Sequence, residues 1–227
     1  MKKIILYGMP GVGKSTFAGI LSERLGLKHI NMGNLLRNEI NFNKSELSLK
    51  FKAWIDSGHL IPDNLATEFI TQYLIDASKQ GGYILDGYPR TINQGKEILN
   101  HSIIKPDRVL HITLDRDVAV AKLMGRRTCQ KCDNDFNVVS IERDGYEMPP
   151  ILPTKETCPH NRDRMECQRD FFSRSDDVKD IILMRFDGYE NETGPILDLF
   201  EGEGKLVHFQ VNKGIKDTEE LLQRLIS

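Results

Sequence analysis

The chain has 227 residues, enough to bury the core of one large domain with inserts but not a second complete domain beside it. Its formal charge of −2 and pI near 6.3 argue against a nucleic-acid or anionic-membrane surface, so any anionic ligand must meet a local cluster of cations. The apolar run Ile4 to Tyr7 is too short for a signal peptide, and no segment reaches the roughly 18 apolar residues of a membrane helix, so a cytoplasmic protein is expected.

In chain order, residues 3–7 form a short apolar run closed by Gly8 and read as a buried strand. Residues 15–25 carry Phe17, Ile20, Leu21 and Leu25 at helical spacing. Further strands are expected at 29–31, 83–85, 109–114 and 206–211, and helices at 33–40, 64–75, 91–99, 118–124, 178–189 and 218–226. Strands alternating with helices imply an α/β protein with a central parallel sheet of about five strands covered on both faces. The pattern lapses over 126–176, where four prolines, many charges and all four cysteines fall, so an insert without a packed-core layer is expected there. A smaller helical insert is expected at 32–61.

Gly8-Met9-Pro10-Gly11-Val12-Gly13-Lys14-Ser15 fits G-x-x-x-x-G-K-[ST] between a predicted strand and a predicted helix. Its glycines let backbone N–H groups curl around phosphate oxygens, and the helix N-terminus adds positive field. Lys14 then reaches the β and γ phosphates and the Ser15 hydroxyl meets Mg²⁺, with Thr16 following in the donor site. Asp86 ends the predicted strand beside this loop, where such proteins hold Mg²⁺. Pro89 stiffens the next turn and leaves Arg90 facing a substrate phosphate.

Asp86-Gly87-Tyr88-Pro89-Arg90-Thr91 followed by Gln94, together with the phosphate loop, resembles the adenylate kinase family, and the similarity runs the length of the chain. Met32-Gly33-Asn34-Leu35-Leu36-Arg37 is similar to the family's T-G-D-[ML]-[LI]-R. The segment Gly58-His59-Leu60-Ile61-Pro62-Asp63 is similar to its G-x-[IL]-[VI]-P-D. Gly125-Arg126-Arg127 and Arg174-Ser175-Asp176-Asp177 match its lid borders, with Arg185 at the spacing of its last arginine.

The resemblance implies one P-loop kinase domain over 1–227, a three-layer fold with a monophosphate-binding insert at 32–61 and a lid at 126–175. It implies a monomer that transfers the terminal phosphoryl of MgATP to AMP, with Lys14, Arg90, Arg126, Arg174 and Arg185 as catalytic residues. Gly8, Pro10, Gly11, Val12, Gly13, Lys14, Ser15, Thr16, Lys122 and Arg126 would bind ATP. Met32, Arg37, Gly87, Arg90, Gln94, Arg174 and Arg185 would bind AMP. Three positions depart from the pattern: Met32 replaces a threonine, Asn34 an aspartate, and Lys122 the arginine that stacks on the donor base. A lysine lacks that planar face, so looser donor selectivity is expected. Other acceptors such as UMP or CMP, a GTP donor, or a P-loop NTPase switch are the alternatives; no motif for positioning an attacking water is present.

Cys129-Gln130-Lys131-Cys132 has the C-x-x-C spacing of a zinc half-site, with free cysteines or a disulfide as the other readings. The resemblance implies a structural Zn²⁺ held by four lid ligands. Cys167 falls at the fourth position, Arg164 stands where the third is usual, and Cys158 or His160 takes its place. Such a metal would replace the core that a lid of this composition lacks.

Overall fold

The computed structural model describes residues 2–43, 45–56, 60–132, 134–158, 170–174 and 176–226, with backbone alone at 55 and 56. Gly58, His59, Pro159, His160, Arg164, Cys167 and Ser175 therefore lie outside the described residues.

Five parallel strands make the central sheet: β1 (Lys2–Tyr7), β2 (Lys28–Asn31), β3 (Gly82–Asp86), β4 (Arg108–Thr113) and the distant β10 (Leu206–Gln210). Their order is β10-β4-β1-β3-β2. In β1, Ile4 and Leu6 enter one apolar cluster while Ile5 and Tyr7 enter the other, so alternation along a single strand feeds both faces. On the first face pack α1 (Lys14–Leu25), α6 (Arg116–Met124) and α8 (Thr218–Ile226), through Phe17, Leu21, Val118, Leu123, Leu221 and Leu225. On the second pack α2 (Met32–Phe42), α3 (Glu46–Asp56), α4 (Asp63–Lys79) and α5 (Ile92–Asn100).

The long helix α7 (Lys179–Gly202) bridges the two clusters, with Ile182 and Phe186 in the first and Ile196 and Phe200 in the second. It continues well past the helix expected at 178–189, through Gly188, Gly194 and Pro195. A proline inside a helix costs about 3 kcal/mol, and burying Ile196 and Phe200 at about 1.5–3 kcal/mol each offsets it.

The insert expected to lack a core layer divides in two. Its outer part is the antiparallel sheet β6 (Asp135–Asn137), β5 (Arg126–Cys129) and β9 (Phe171–Phe172), over a small cluster of Cys129, Cys158 and Phe136. Its inner part is the hairpin β7 (Ile141–Arg143) and β8 (Tyr146–Met148), whose Ile141, Tyr146 and Met148 join the main core. Composition hid this part because three apolar residues at strand alternation suffice to dock a hairpin on a core that others supply. Among the described residues no helix is long and apolar enough to cross a membrane.

Candidate functional site

The site forms at the carboxyl ends of β1, β3 and β2, where the loop after β1 turns into α1. Gly8 has φ of 154°, and a Cβ there would stand 2.4 Å from the Ile112 carbonyl oxygen. Gly11, at φ of 89°, would meet the Ala119 carbonyl at 2.7 Å. Only glycine follows this path against β4 and α6. Helix α1 opens at Gly13 with no side-chain cap, which leaves its first N–H groups for an anion. Pro10 and Val12 shape the loop, Val12 being fully buried, and Thr16 is exposed one residue past the turn.

Lys14 folds back along the loop, its Nζ donating to the carbonyls of Gly8 at 2.6 Å and Met9 at 3.0 Å. Burial lowers its pKa to about 8; Asp86 opposes this while Arg90, Arg185 and Arg126 add to it. The fold thus brings one lysine, one carboxylate and three arginines within charge–charge reach of one another. Ser15 Oγ donates to Asp86 Oδ2 at 2.6 Å, and Asp86 itself is almost fully buried. A hydroxyl and a carboxylate side by side at the mouth of a phosphate loop suit a hard, oxygen-seeking cation such as Mg²⁺.

Asn31 was missed from sequence. It ends β2 in register with Asp86, and its Nδ2 donates to Asp86 Oδ2 at 2.7 Å and to Ser15 Oγ at 3.3 Å. Its Oδ1 accepts the backbone N–H of Asn34 at 2.9 Å and so caps α2. The signal was there: an asparagine at a strand-to-helix junction is a cap, and parallel pairing with a strand ending in Asp86 puts that cap beside the carboxylate.

On the acceptor side, Arg37 reaches from α2 to the Asn34 side chain, whose oxygen accepts from its Nη2. Met32 is buried, and its Cβ lies 3.6 Å from where a Gly87 Cβ would stand. Arg90 Nε donates to the Gly87 carbonyl at 3.1 Å. Gln94 is buried in α5: its Oε1 accepts from Arg90 N at 2.7 Å and its Nε2 donates to Asp63 Oδ1 at 2.9 Å. It thereby ties the Arg90 turn to the start of α4, and it keeps one amide hydrogen and one oxygen lone pair for a ligand.

Arg126 grips Asp177 with two hydrogen bonds, and Arg185 donates to Asp176 at 2.7 Å. Burial lowers the pKa of Arg185, with Asp176 opposing and Arg126 adding. Arg174 does not join this group. Its Nη2 pairs with Asp135 at 2.6 Å and its Nε donates to Thr128 Oγ1 at 3.2 Å, both within the outer lid sheet. Lys122 lies across the loop, its Nζ 3.8 Å from a Cβ position on Gly13. Burial lowers it to about 8 against the pull of Asp217, and its ammonium has no hydrogen-bond partner among the described residues.

In the lid, the thiol sulfurs of Cys129, Cys132 and Cys158 lie within 4.8 Å of one another, and Cys132 and Cys158 are 3.5 Å apart. Tetrahedral zinc with bonds of about 2.3 Å sets its sulfurs about 3.8 Å apart, so the three thiols fit such an ion. Cys167 and His160 lie outside the described residues.

The model of the family described as "Adenylate kinase" matches residues 6–205. The chain is similar to the "GTP:AMP phosphotransferase" of Plasmodium falciparum, 39% identical over 99% of this chain and 96% of the relative. It is similar to an "Adenylate kinase" of Acetivibrio thermocellus, 31% identical over 98% of this chain and 97% of that one. It also resembles the "Probable adenylate kinase 6, chloroplastic" of Arabidopsis thaliana, 34% identical over 98% of this chain and 74% of that protein. The family match over residues 6–205 and these relatives, covered over most of their length, show that the chain belongs to the adenylate kinase family and is a nucleoside monophosphate kinase, a phosphotransferase.

Proposed function

We propose that the protein moves the terminal phosphoryl group of a magnesium-bound nucleoside triphosphate, ATP in the first reading, onto AMP to give two diphosphates. The observation that carries this is the gathering of Asp86, Arg90, Arg126 and Arg185 around Lys14. One triphosphate does not need so many cations, whereas a triphosphate and a monophosphate meeting in line do. The loop amides and Lys14 hold the donor phosphates, Arg37 and Arg90 the acceptor phosphate, and Arg126 and Arg185 the group in flight. Arg174 would have to leave Asp135 to take part.

An AMP phosphate loses its second proton near pH 6, so it arrives as a nucleophile and the protein supplies no base. What the residues do is align, neutralise charge and exclude water. Mg²⁺, bound by Ser15 and Asp86, would neutralise donor phosphate charge. The free N–H and lone pair of Gln94 match the amino and ring-nitrogen edge of adenine, which favours AMP as acceptor. A structural Zn²⁺ on Cys129, Cys132, Cys158 and Cys167 is part of the same reading.

A second donor, GTP, is favoured by Lys122. An ammonium has only donors, so it matches the O6 carbonyl of guanine and opposes the amino group adenine carries there. The name of the Plasmodium falciparum relative points the same way. Diphosphate formation from MgATP or MgGTP with AMP, CMP, UMP and GMP in turn tests all of this. Equal consumption of triphosphate with no acceptor present would overturn the kinase reading in favour of a hydrolytic switch.

A further inference from the structure

The inner hairpin β7–β8 makes contacts that the outer lid does not. Glu147 N donates to the Asn212 carbonyl at 2.9 Å. Met148 lies against Gly214, its Cγ 3.7 Å from where a Cβ would stand. Tyr146 Oη accepts from Asp115 N and from Gln210 Nε2, each at 3.4 Å, and Arg143 pairs with Asp117 at the start of α6. Between the two parts of the insert, Asn137, the last residue of the outer strand β6, donates its Nδ2 to the Lys122 carbonyl at 2.7 Å, and Val138 N donates to the Gly125 carbonyl at 3.0 Å.

These contacts grip two short pieces of backbone. One is the end of α6 that carries Lys122. The other is the turn from Asn212 into the 3₁₀ turn Gly214–Asp217, which Asp217 Oδ2 already ties by accepting from Asn212 N and Lys213 N at 2.8 and 2.7 Å. Lys122 and Asp217 face each other closely enough to shift the lysine, and the Lys122 ammonium lies just beyond Gly13 of the phosphate loop. A donor whose phosphates sit in that loop must send its base outward into the space these two pieces border.

We propose that the β7–β8 hairpin is a positioning element for the donor base, a fixed brace that holds the turn 212–217 opposite Lys122. This rests on the kinase reading above. It divides the insert by role: 138–148 belongs to the preformed donor site, and the outer sheet with its thiols is the part left to move. With Ile141, Tyr146 and Met148 buried in the core, release of the hairpin on every turnover would expose apolar surface each time, whereas among the described residues no side chain of the outer sheet enters that cluster. Pre-organising the turn lowers the ordering cost of binding the donor and does nothing for the acceptor.

The test replaces 141–148 with two glycines and, separately, makes Met148→Ala, which keeps the hairpin but removes the side chain over Gly214. Donor affinity is read with fluorescent ATP and GTP analogues, and KM for donor and for AMP from initial rates. The expected result is a donor Kd and KM at least tenfold higher for the deletion and about threefold higher for Met148→Ala, with KM for AMP within twofold of wild type. A donor Kd unchanged in Met148→Ala, or both KM values rising together, would overturn the proposal; if the deletion does not fold, Met148→Ala decides alone. A wild-type chain that binds donor but transfers nothing to any monophosphate would instead overturn the kinase reading.

Discussion

Arg126 and Asp177 are joined by two parallel hydrogen bonds, Nε to Oδ2 at 2.7 Å and Nη2 to Oδ1 at 2.6 Å, and the Asp177 side chain is fully buried. A guanidinium has five N–H donors, so the pair uses one edge to fix the plane and leaves the other edge for phosphate oxygen. Asp177 is thus a positioning residue for Arg126. Asp177→Ala leaves a half-buried cation unpaired. A loss of about 3 kcal/mol is expected, which lowers Tm by roughly 6–12 °C. The guanidinium also loses its orientation, so kcat should fall by about 10²-fold with KM values changing far less. A melt and a rate series check both; unchanged kcat in a folded variant removes the positioning role.

Asn31 holds both Asp86 and Ser15 through its side-chain amide. Supporting groups of this kind change metal affinity about 10- to 100-fold. In Asn31→Ala the free Mg²⁺ giving half-maximal rate should rise by about tenfold, while the maximal rate at saturating Mg²⁺ recovers most of its value. A titration of rate against Mg²⁺ shows it.

Lys14 titrates near 8, lowered chiefly by burial, and the form that holds phosphate is the protonated one. As pH rises through 8 the free enzyme loses that charge. The kcat/KM for donor should therefore decline about tenfold per pH unit above roughly 8. At saturating donor the bound phosphates hold the proton on, so kcat stays flatter. Parallel decline of both profiles would count against Lys14 as the group responsible.

His111 of β4 lies next to His208 of β10, Nδ1 to Nδ1 3.2 Å, and its Nε2 meets the Tyr189 hydroxyl of α7 at 2.9 Å. Burial, then His208 and Lys14, lower its pKa from 6.5 to about 4. The folded state therefore binds this proton more weakly than the unfolded chain. The stability is fully present above pH 6.5 and is lost progressively as pH falls from 6.5 to 4. His111→Gln keeps a hydrogen-bonding side chain without that titration. Its Tm should depend less steeply on pH across that window than wild type; equal slopes would exclude His111 as the source.

The lid thiols should carry one zinc per chain, measured by metal analysis of protein purified without chelator. Cys132→Ser should lower that ratio and make the lid more open to proteolysis, because a metal stands in for the missing core. A ratio near zero in wild-type protein would sink the zinc site.

Much of this was legible in the residues. The phosphate loop is local: glycine spacing, a lysine and a hydroxyl in eight residues define a backbone path whatever surrounds them. The strands of the sheet were legible because apolar runs bounded by turns report burial on both faces. What chain order does not carry is pairing between distant segments. Asn31 meets Asp86 only because β2 lies beside β3 in a given register. Arg174 turned from the phosphates to Asp135 because the lid sheet offers it a carboxylate. The helix α7 ran through Pro195 because Ile196 and Phe200 had a core to enter.

The sequence by itself determined the chemistry on offer: a phosphate loop, a metal-binding hydroxyl and carboxylate, a set of arginines and a cluster of thiols. Tertiary structure decided which of these meet. It brought Arg90, Arg126 and Arg185 to Lys14, kept Arg174 on the lid, and docked β7–β8 against the turn 212–217. The reason is physical: local geometry follows from nearest neighbours along the chain. Charge pairing and core burial depend on distances between segments far apart in sequence, which the packed sheet and helices set.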